Sequence, residues 1–411
     1  MNFRIMEDAL RCGLPTWTVI QNWILRYGLF KLKQPLQKRD DWIYIMDHTI
    51  EFGIKKCFVV LAVSIETLRN KNFRLTHQDM EVAAISIDEK ATGERVYEVL
   101  AEAAKQTGVP VQTVEDAGSN IKKGVALFKE DYPAVIPTYD ITHKTAIMLK
   151  HYLGDCAIFK SFSNKVSETK RKTVHTEFSH LGPKKPRDKS RWLNIKEHLK
   201  WAEDIKIYRK QLNHKKGRPS RERRELLKKF DSLFGWINEY DKHISKWKQV
   251  VDVLKAAEHE LKTKGISKKS VSNLKQTYRS MDIVHKDAIE MKNKMIAFIK
   301  KETESFDDFF TGLGTSDIIE SIFGKYKLFS ARTPMKEVGK ALLTIPVMIS
   351  KVTLKEVKEA METVSTKELD CWLKKNLGES LFVKRKKAFQ AGKAKNEVKK
   401  FPQNQLKAVG F

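Results

Sequence analysis

Three carboxylates stand at positions in the sequence where they could share divalent metal ions. Asp47 ends the apolar stretch WIYIMD (42–47), Asp116 ends VQTVED (111–116), and Glu320 lies in TSDIIESIFGKYK (315–327). Carboxylate oxygens are the ligands that Mg²⁺ prefers, and a pair of such ions can stabilise the attacking and leaving oxygens of a phosphodiester displacement. Metal-assisted cutting of a phosphodiester is therefore the chemistry that these residue types suggest.

Asp47 and Asp116 each have an ordinary structural explanation as well. An Asp at the end of a strand often caps the next turn, and Asp116 in VEDAGSN could begin a turn or a helix, with Gly118 supplying a positive φ. Their combination favours function, because the ends of two neighbouring strands would bring the two carboxylates within a few ångströms of each other.

Glu320 also has a structural alternative, in which Asp317 caps the helix and Glu320 completes a capping box three residues later. Asp307, Asp308 and Asp317 are alternative third carboxylates. We prefer Glu320 because Gly324 and Lys327 follow it at i+4 and i+7, on the same helix face. A small residue and a cation beside a metal carboxylate suit a surface over which DNA passes.

The elements that must position these residues are clear from residue 42 to residue 153. Apolar runs alternate with amphipathic stretches, and Gly108 before Pro110 ends a helix. The order is βββαβαβα, which predicts a mixed sheet with helices on its faces. The predicted strands cover 42–47, 56–63, 81–87, 111–116 and 134–140, and the predicted helices cover 91–107, 120–130 and 142–153.

Strand patterns stop after residue 155, and amphipathic helices are predicted over 192–212, 221–262 and 270–302. Trp192, Trp201, Trp236 and Trp247 are expected to pack these helices together. We divide the chain into an N-terminal helical segment (1–38), the first part of the α/β core (39–155), a basic all-helical insertion (156–312), and a last part (313–411). That last part holds the core helix with Glu320, a helical C-terminal region and a basic, frayed tail (383–400).

The spacing of apolar residues in the N-terminal segment predicts a helix near Trp17. This helix has two alternative roles. It resembles the last part of a helix-turn-helix, whose polar face would carry Thr18, Gln21, Asn22 and Arg26. Alternatively, it is a short amphipathic helix docked on the core.

Charge points to a polyanionic partner. The chain of 411 residues has 78 Lys and Arg against 51 Asp and Glu, a formal net charge of +27. Residues 160–229 hold 23 basic against 8 acidic residues, a net of +15. Nucleic acid is the usual partner of such a surface, and a solvated helix face is the alternative. A signal peptide and a membrane-spanning apolar run are both missing, so we expect a cytoplasmic protein, associated with the nucleoid if the host is bacterial.

Two further groups of residues are candidates for the site. Ser119, Asn120, Lys122, Lys123 and Lys327 are expected to hold DNA near the metal ligands. Asp140 and His143 form the motif DITH between the fifth strand and the next helix, where the alternative is an Asp N-cap beside a surface His. The chain has no GxxxxGK[ST] motif, so nucleotide hydrolysis has no support.

The ordered set of Asp47, Asp116, DITH, a long helical insertion and Glu320 resembles the DDE transposases whose ribonuclease-H-like domain is interrupted by an all-helical insertion. These are the bacterial cut-and-paste insertion-sequence transposases and the hAT and RAG-like recombinases. The resemblance covers residues 40 to about 330. Asp140 and His143 match the [C/D]xxH motif of several members, and Lys327 matches a basic residue that often follows the catalytic Glu.

The resemblance implies a ribonuclease-H-like mixed sheet and a DNA transposase that cuts element ends and joins the 3′-OH to target DNA. Two Mg²⁺ or Mn²⁺ ions would be held by Asp47, Asp116 and Glu320. The partner would be double-stranded DNA (element ends and target), bound by a homodimer. No membrane would be involved. The short N-terminal segment departs from the full end-binding domain that these enzymes usually carry.

Other functions remain open from the sequence. A ribonuclease-H-like nuclease would cut DNA or RNA–DNA hybrids in the same way without joining ends. A DNA-binding relic of a transposase would bind without catalysis. A membrane-surface protein is the weakest alternative, because the basic helices lack a consistent apolar face for lipid.

Overall fold

The structure is a computed structural model. It describes residues 15–50, 53–116, 118–184, 195–213, 220–332, 335 and 337–397. Five strands and sixteen α-helices lie within these residues. The strands are β1 (Trp42–Ile50), β2 (Lys56–Ser64), β3 (Glu81–Asp88), β4 (Gln112–Glu115) and β5 (Ile136–Tyr139). The helices are α1 (Trp17–Lys33), α2 (Ile65–Asn70), α3 (Gly93–Thr107), α4 (Ser119–Asp131), α5 (Ile141–Leu153), α6 (Ala157–Thr173), α7 (Ile195–Asn213), α8 (Arg221–Phe234), α9 (Asp241–Lys264), α10 (Ser270–Arg279), α11 (Lys286–Glu302), α12 (Asp317–Ser330), α13 (Thr344–Ile349), α14 (Leu354–Thr363), α15 (Thr366–Leu377) and α16 (Leu381–Glu397).

The five strands form one mixed sheet in the order β3-β2-β1-β4-β5. Strand β2 pairs antiparallel with both β1 and β3, whereas β4 pairs parallel with both β1 and β5. The predicted mixed α/β fold is confirmed, with the short helix α2 added between β2 and β3. All eight predicted elements between residues 42 and 153 are present, with ends that differ by one to three residues.

The first strand differs from its predicted end. β1 continues to Ile50, so Asp47 lies within the strand, opposite Val59 of β2. The parallel pairing with β4 ends earlier, at Ile45 and Val114. The carboxylate therefore stands where one neighbour strand continues and the other stops, which leaves an opening in the sheet beside Asp47.

Successive β1 side chains pack on opposite faces of the sheet, because side chains alternate along a strand. Tyr44 and Met46 join the buried side chains of α3 and α4. Ile43 and Ile45 join a second apolar cluster that includes Val114 and the buried side of α12. Helix α12 therefore covers the face of the sheet toward which odd-numbered β1 residues point.

The described residues between 157 and 302 are helical, but two of the predicted helices are interrupted. The stretch 221–262 breaks at the 3₁₀ turn Gly235–Tyr240, where Trp236 and Tyr240 stack around Phe162. The stretch 270–302 breaks between α10 and α11. There the side-chain amide of Gln249 hydrogen-bonds to backbone groups that the helices leave unpaired. Its oxygen accepts from the N–H groups of residues 284 and 285, and its nitrogen donates to the carbonyl of residue 282.

Three of the four tryptophans contribute to this helical core. Trp247 is fully buried and lies 5.6 Å from Phe162 between ring centroids. Trp201 and Trp236 pack 6.4 Å apart. Trp192 lies outside the described residues. Aromatic contacts therefore hold together a region whose surface is strongly basic.

Gln112 on β4 joins the sheet to the segment that follows the helical insertion. Its buried amide accepts from the Leu313 N–H at 2.9 Å and donates to the Leu313 carbonyl and the Thr138 hydroxyl, both at 2.8 Å. These bonds fix the start of α12 over β4. Residue 313 is brought back to the sheet 201 positions after Gln112.

Replacing Gln112 with Ala is expected to destabilise the protein by about 2–4 kcal/mol, since it leaves buried backbone groups without partners. The neighbouring Thr113→Val is the matched control. The Thr113 hydroxyl is buried without a hydrogen-bond partner among the described residues. Its removal should be neutral or stabilising. Urea unfolding of both variants checks this, and equal losses would contradict the role given to Gln112.

Helix α1 is docked on the C-terminal helices, as in the second interpretation of this segment. The Arg26 guanidinium donates to the carbonyls of Met361 and Val364, both at 2.5 Å. Gln21 accepts from Lys340 at 2.7 Å. Arg26 and Gln21, which were expected to read DNA, are thus bonded within the fold, while the Thr18 hydroxyl lies 3.0 Å from that of Thr16.

The C-terminal region contains α13 to α16, and the apolar stretch 341–349 is largely buried there. The basic tail, expected to be frayed, is helical as far as Glu397 because it continues α16. Residues 398–400 of that tail lie outside the described part. None of the described helices combines the length and the apolar character needed to cross a membrane.

Candidate active site

Asp47 and Asp116 lie side by side because of the parallel register of β1 and β4. Ile43 pairs with Gln112 and Ile45 with Val114. Continuing that register two residues past the last pair brings Asp116, which follows the end of β4, toward Asp47, and the charge of Asp116 raises the pKa of Asp47. Both residues share the sheet face of Ile45 and Val114, and this is the face covered by α12.

Glu320 reaches the same place from α12. The helix buries Ile319, Ile322, Phe323 and Tyr326 against the sheet, which leaves Glu320 exposed at the edge of the contact. The charge of Glu320 raises the pKa of Asp47, and the charge of Asp116 raises the pKa of Glu320. The three carboxylates singled out in the sequence therefore lie within electrostatic range of one another.

Burial and repulsion by neighbouring carboxylates raise the pKa of both Asp47 and Glu320. Burial, followed by the charges of Asp116 and Glu320, raises the pKa of Asp47 to about 7. The protein packed around Glu320, followed by the charges of Asp140 and Asp317, raises its pKa to about 7, although the residue as a whole is open to solvent. A cluster of this kind favours either protons or a bound cation.

The donor set suits a hard divalent cation, because all three groups are carboxylates. The site is not assembled for it, however. In the described part of the chain, no group of three or more His, Cys, Asp and Glu side chains is arranged to hold a metal ion. The three carboxylates thus fit Mg²⁺ in the chemistry of their ligand atoms but are not arranged to hold it together.

Asp140 combines the structural role with a place in the acidic cluster. It is fully buried at the N-terminus of α5, where it accepts from the backbone N–H groups of Thr142 at 3.0 Å and His143 at 3.3 Å. Its charge also raises the pKa of Glu320. The His143 ring lies 6.1 Å from the ring of Tyr139.

Lys262, on the insertion helix α9, is a site residue that sequence reasoning missed. Its ammonium pairs with Asp317 at 2.6 Å, and its charge lowers the pKa of Glu320. Asp317 also accepts from the Thr142 hydroxyl at 2.8 Å. One lysine among many, 55 positions before Asp317, gives no signal in the sequence.

The capping box considered for α12 is not formed. The N-cap is Ser316, which makes no side-chain cap bond. Asp317 is instead the partner of Lys262. Two more acidic residues were candidates for the third carboxylate: Asp308 pairs with Lys268 at 2.7 Å, and Asp307 accepts from a nearby backbone N–H. Both are occupied away from the cluster.

Replacing Lys262 with Ala is expected to destabilise the protein by about 1–2 kcal/mol at pH 7, because it leaves a half-buried Asp317 without its cation. The double variant Lys262→Ala/Asp317→Asn should lose clearly less than the sum of the single losses. Urea midpoints of the four proteins measure this. Additive losses would show that the pair contributes nothing.

The residues expected to hold DNA differ in where they lie and in whether they are free to contact it. Lys327 is exposed on α12, and its charge lowers the pKa of Asp47, so it stands beside the carboxylates. Ser119 and Lys122 are exposed and Asn120 is half-buried, all in the first turn of α4 after Asp116. Lys123 is paired with Glu94 of α3, which turns it toward the neighbouring helix.

Glu115 is a second residue that the sequence did not indicate. It is buried beside Asp116, and its Oε2 atom has no hydrogen-bond partner among the described residues. Burial, then the charges of Asp116 and Glu302, raises its pKa to about 7. Glu302, from α11 of the insertion, accepts from the Tyr139 N–H at 3.0 Å. The insertion therefore places charged groups near β4 from two of its helices, α9 and α11.

Comparison with known proteins adds no identification: no family model matches the chain, and no curated protein is significantly similar to it.

Proposed function

We propose that this chain is a DDE-type DNA transposase with a ribonuclease-H-like core, which cuts DNA and joins the freed 3′ end to a target strand. The single observation that carries the proposal is the approach of Asp47, Asp116 and Glu320 to one another at one face of the mixed sheet. The strand order β3-β2-β1-β4-β5, with β4 and β5 parallel to β1, supports a ribonuclease-H-like arrangement.

The reaction consists of two phosphodiester exchanges. In the first, water attacks phosphorus and the P–O3′ bond breaks, leaving a 3′-hydroxyl and a 5′-phosphate. In the second, that 3′-oxygen attacks a phosphorus of the target strand, and the target's own 3′-oxygen leaves. Two Mg²⁺ or Mn²⁺ ions held by Asp47, Asp116 and Glu320 would supply charge stabilisation for both exchanges.

The chain's own contribution is positioning and control of charge. Lys327 stands beside Asp47 and can neutralise the strand that approaches it. Lys262 balances Asp317 and keeps the acidic cluster from becoming more negative. Because Lys262 belongs to the insertion, DNA held by the basic insertion would lie directly beside the carboxylates. A homodimer would pair two DNA ends.

A second candidate is a DNA-binding protein without catalysis. Among the described residues the carboxylates do not form a ready-made metal group. That observation favours this candidate, whereas the raised pKa values at the cluster favour an enzyme.

The experiment is incubation of the protein with supercoiled plasmid and Mg²⁺ or Mn²⁺, with EDTA as the negative control. We expect nicking that EDTA abolishes. A duplex with a pre-cut 3′-OH end then tests joining: a joined product identifies a transposase, and nicking without joining identifies a nuclease. Binding without nicking under any metal would reject the catalytic proposal and favour the DNA-binding alternative.

A further inference from the structure

A cavity of about 550 Å³ opens beside α12, next to the carboxylates but on a different side of the helix. Its walls come from residues 73–77, from Lys262 of the insertion, from the returning segment at residues 313–315, and from α12. Glu320 and Lys327 mark one side of the exposed face of α12, and Ser321 and Lys325 mark the other, since each residue turns the helix by about 100°. Gly324 lies between them, and a Cβ there would meet no atom within 4 Å.

The rim of this cavity carries an ordered chain of donors. Lys325 Nζ lies 3.1 Å from His77 Nδ1, and His77 Nε2 lies 3.0 Å from Ser321 Oγ. An ammonium only donates, so Nδ1 accepts and the imidazole proton sits on Nε2, which donates to Ser321. The serine oxygen is thus an acceptor, and its own O–H remains to donate outward. His77 is therefore no general base for Ser321.

Two positive charges at the rim are not neutralised. Within the described part of the chain, neither Arg74 nor Lys325 forms an ion pair with a carboxylate, and Arg74 is exposed beside the cavity. Lys325 instead donates to the His77 ring, whose pKa is lowered by burial and by that neighbouring charge. The one carboxylate in the lining, Asp317, is already paired with Lys262. The rim is therefore suited to an anion.

The loop that presents Arg74 and His77 is held in an unusual backbone conformation. Asn72 and Phe73 have φ of 48° and 62°, in the left-handed region that bulky residues rarely adopt. The Phe73 ring packs on Gly265 at the end of α9, where an added Cβ would lie 2.5 Å from Phe73 Cε1. Contact with the insertion thus fixes a strained loop beside the cavity, and strain of this kind often accompanies function.

We propose that this cavity binds a backbone phosphate of the nucleic-acid strand that passes over α12, with Arg74 and Lys325 as its cations and Ser321 as a hydroxyl donor. This site rests on the proposed function, because it assumes a nucleic-acid strand that reaches the carboxylates. Along α12 it lies on the opposite side of Gly324 from Lys327. It also gives the strand a direction across the helix, from Lys327 past Glu320 to the cavity.

The test is binding of a short labelled DNA duplex in EDTA over a range of salt concentrations, with the full chain. Each lost phosphate contact should reduce the slope of log K against log salt by about 0.9. We expect Arg74→Ala/Lys325→Ala to weaken binding about tenfold and to lower the slope by about 0.9, because one phosphate contact is lost. Arg74→Lys should retain the parent slope. Lys105→Ala is the matched control, because this exposed lysine lies on α3 near Thr107, which bonds to Trp42 at the opposite end of β1.

If Arg74→Ala lowers the melting temperature, the exposed helical variant Lys325→Ala decides alone, with weaker binding than Lys105→Ala and a slope lowered by up to about 0.9. Affinity and slope equal to those of Lys105→Ala would overturn the proposal. The parallel plasmid assay separates the two ideas. Nicking by the parent with unchanged slopes rejects the cavity and leaves the transposase. A reduced slope without nicking keeps the cavity as a nucleic-acid site and rejects the transposase.

Discussion

Replacing Asp47 with Asn is expected to reduce Mg²⁺-dependent nicking about a thousandfold. Loss of one metal-binding carboxylate removes several kcal/mol of charge stabilisation from the transition state, and each ~1.4 kcal/mol corresponds to a factor of ten in rate. Asp116→Asn and Glu320→Gln should lose activity to a similar extent. The rate of loss of supercoiled plasmid at saturating Mg²⁺ measures the effect.

The control for this series is Asp308→Asn, since Asp308 was a candidate for the third carboxylate and is instead paired with Lys268. It should retain nearly full activity. In the absence of metal ions, Asp47→Asn and Glu320→Gln should also be at least as stable as the parent. Each substitution removes a negative charge from a cluster of carboxylates that repel one another. Activity retained in Glu320→Gln, or lost equally in Asp308→Asn, would show that the third carboxylate is wrongly assigned.

The metal-free protein should lose stability between pH 6.5 and pH 8. Asp47 and Glu115 have a pKa of about 7 in the folded chain, against ordinary values of 3.8 and 4.5. A raised carboxyl pKa means that the folded state holds its proton more tightly. This stabilisation is complete below pH 4 and disappears as the pH rises through 7. The expected loss over this window is about 1 kcal/mol, or about 3 °C in melting temperature.

Three histidines act in the opposite direction within this window. Burial lowers the pKa of His48, His77 and His198, so the stability that their protonation costs returns as the pH rises through 6.5. Melting in EDTA at the two pH values is therefore compared between the parent and Asp47→Asn, because the histidine contributions cancel in the difference. Asp47→Asn should show a smaller loss, and Mg²⁺ at pH 8 should restore stability to the parent but not to this variant. An equal change in melting temperature in the two proteins would contradict the raised pKa of Asp47.

The sequence by itself determined the elements whose patterns are local. Short apolar runs specify β1, β2 and β3, and the stop at Gly108 before Pro110 ends α3. Asp47 follows Ile45 by two residues, and Asp116 follows Val114 by two. Each carboxylate therefore shares a sheet face with that apolar residue, which is also a local property because side chains alternate along any strand. Charge likewise needs only counting, so the basic character of the insertion follows from its composition alone.

Tertiary structure decided what depends on distant parts of the chain meeting. Only the sheet shows that β1 continues to Ile50 beside β2 while its pairing with β4 stops, which leaves Asp47 open to its neighbours. Only the docking of α12 brings the charge of Glu320 within range of Asp47, and only the packing of α9 brings Lys262 to Asp317. His77 meets Ser321 across 244 positions. No periodicity encodes such contacts, because they arise from which apolar faces are buried together.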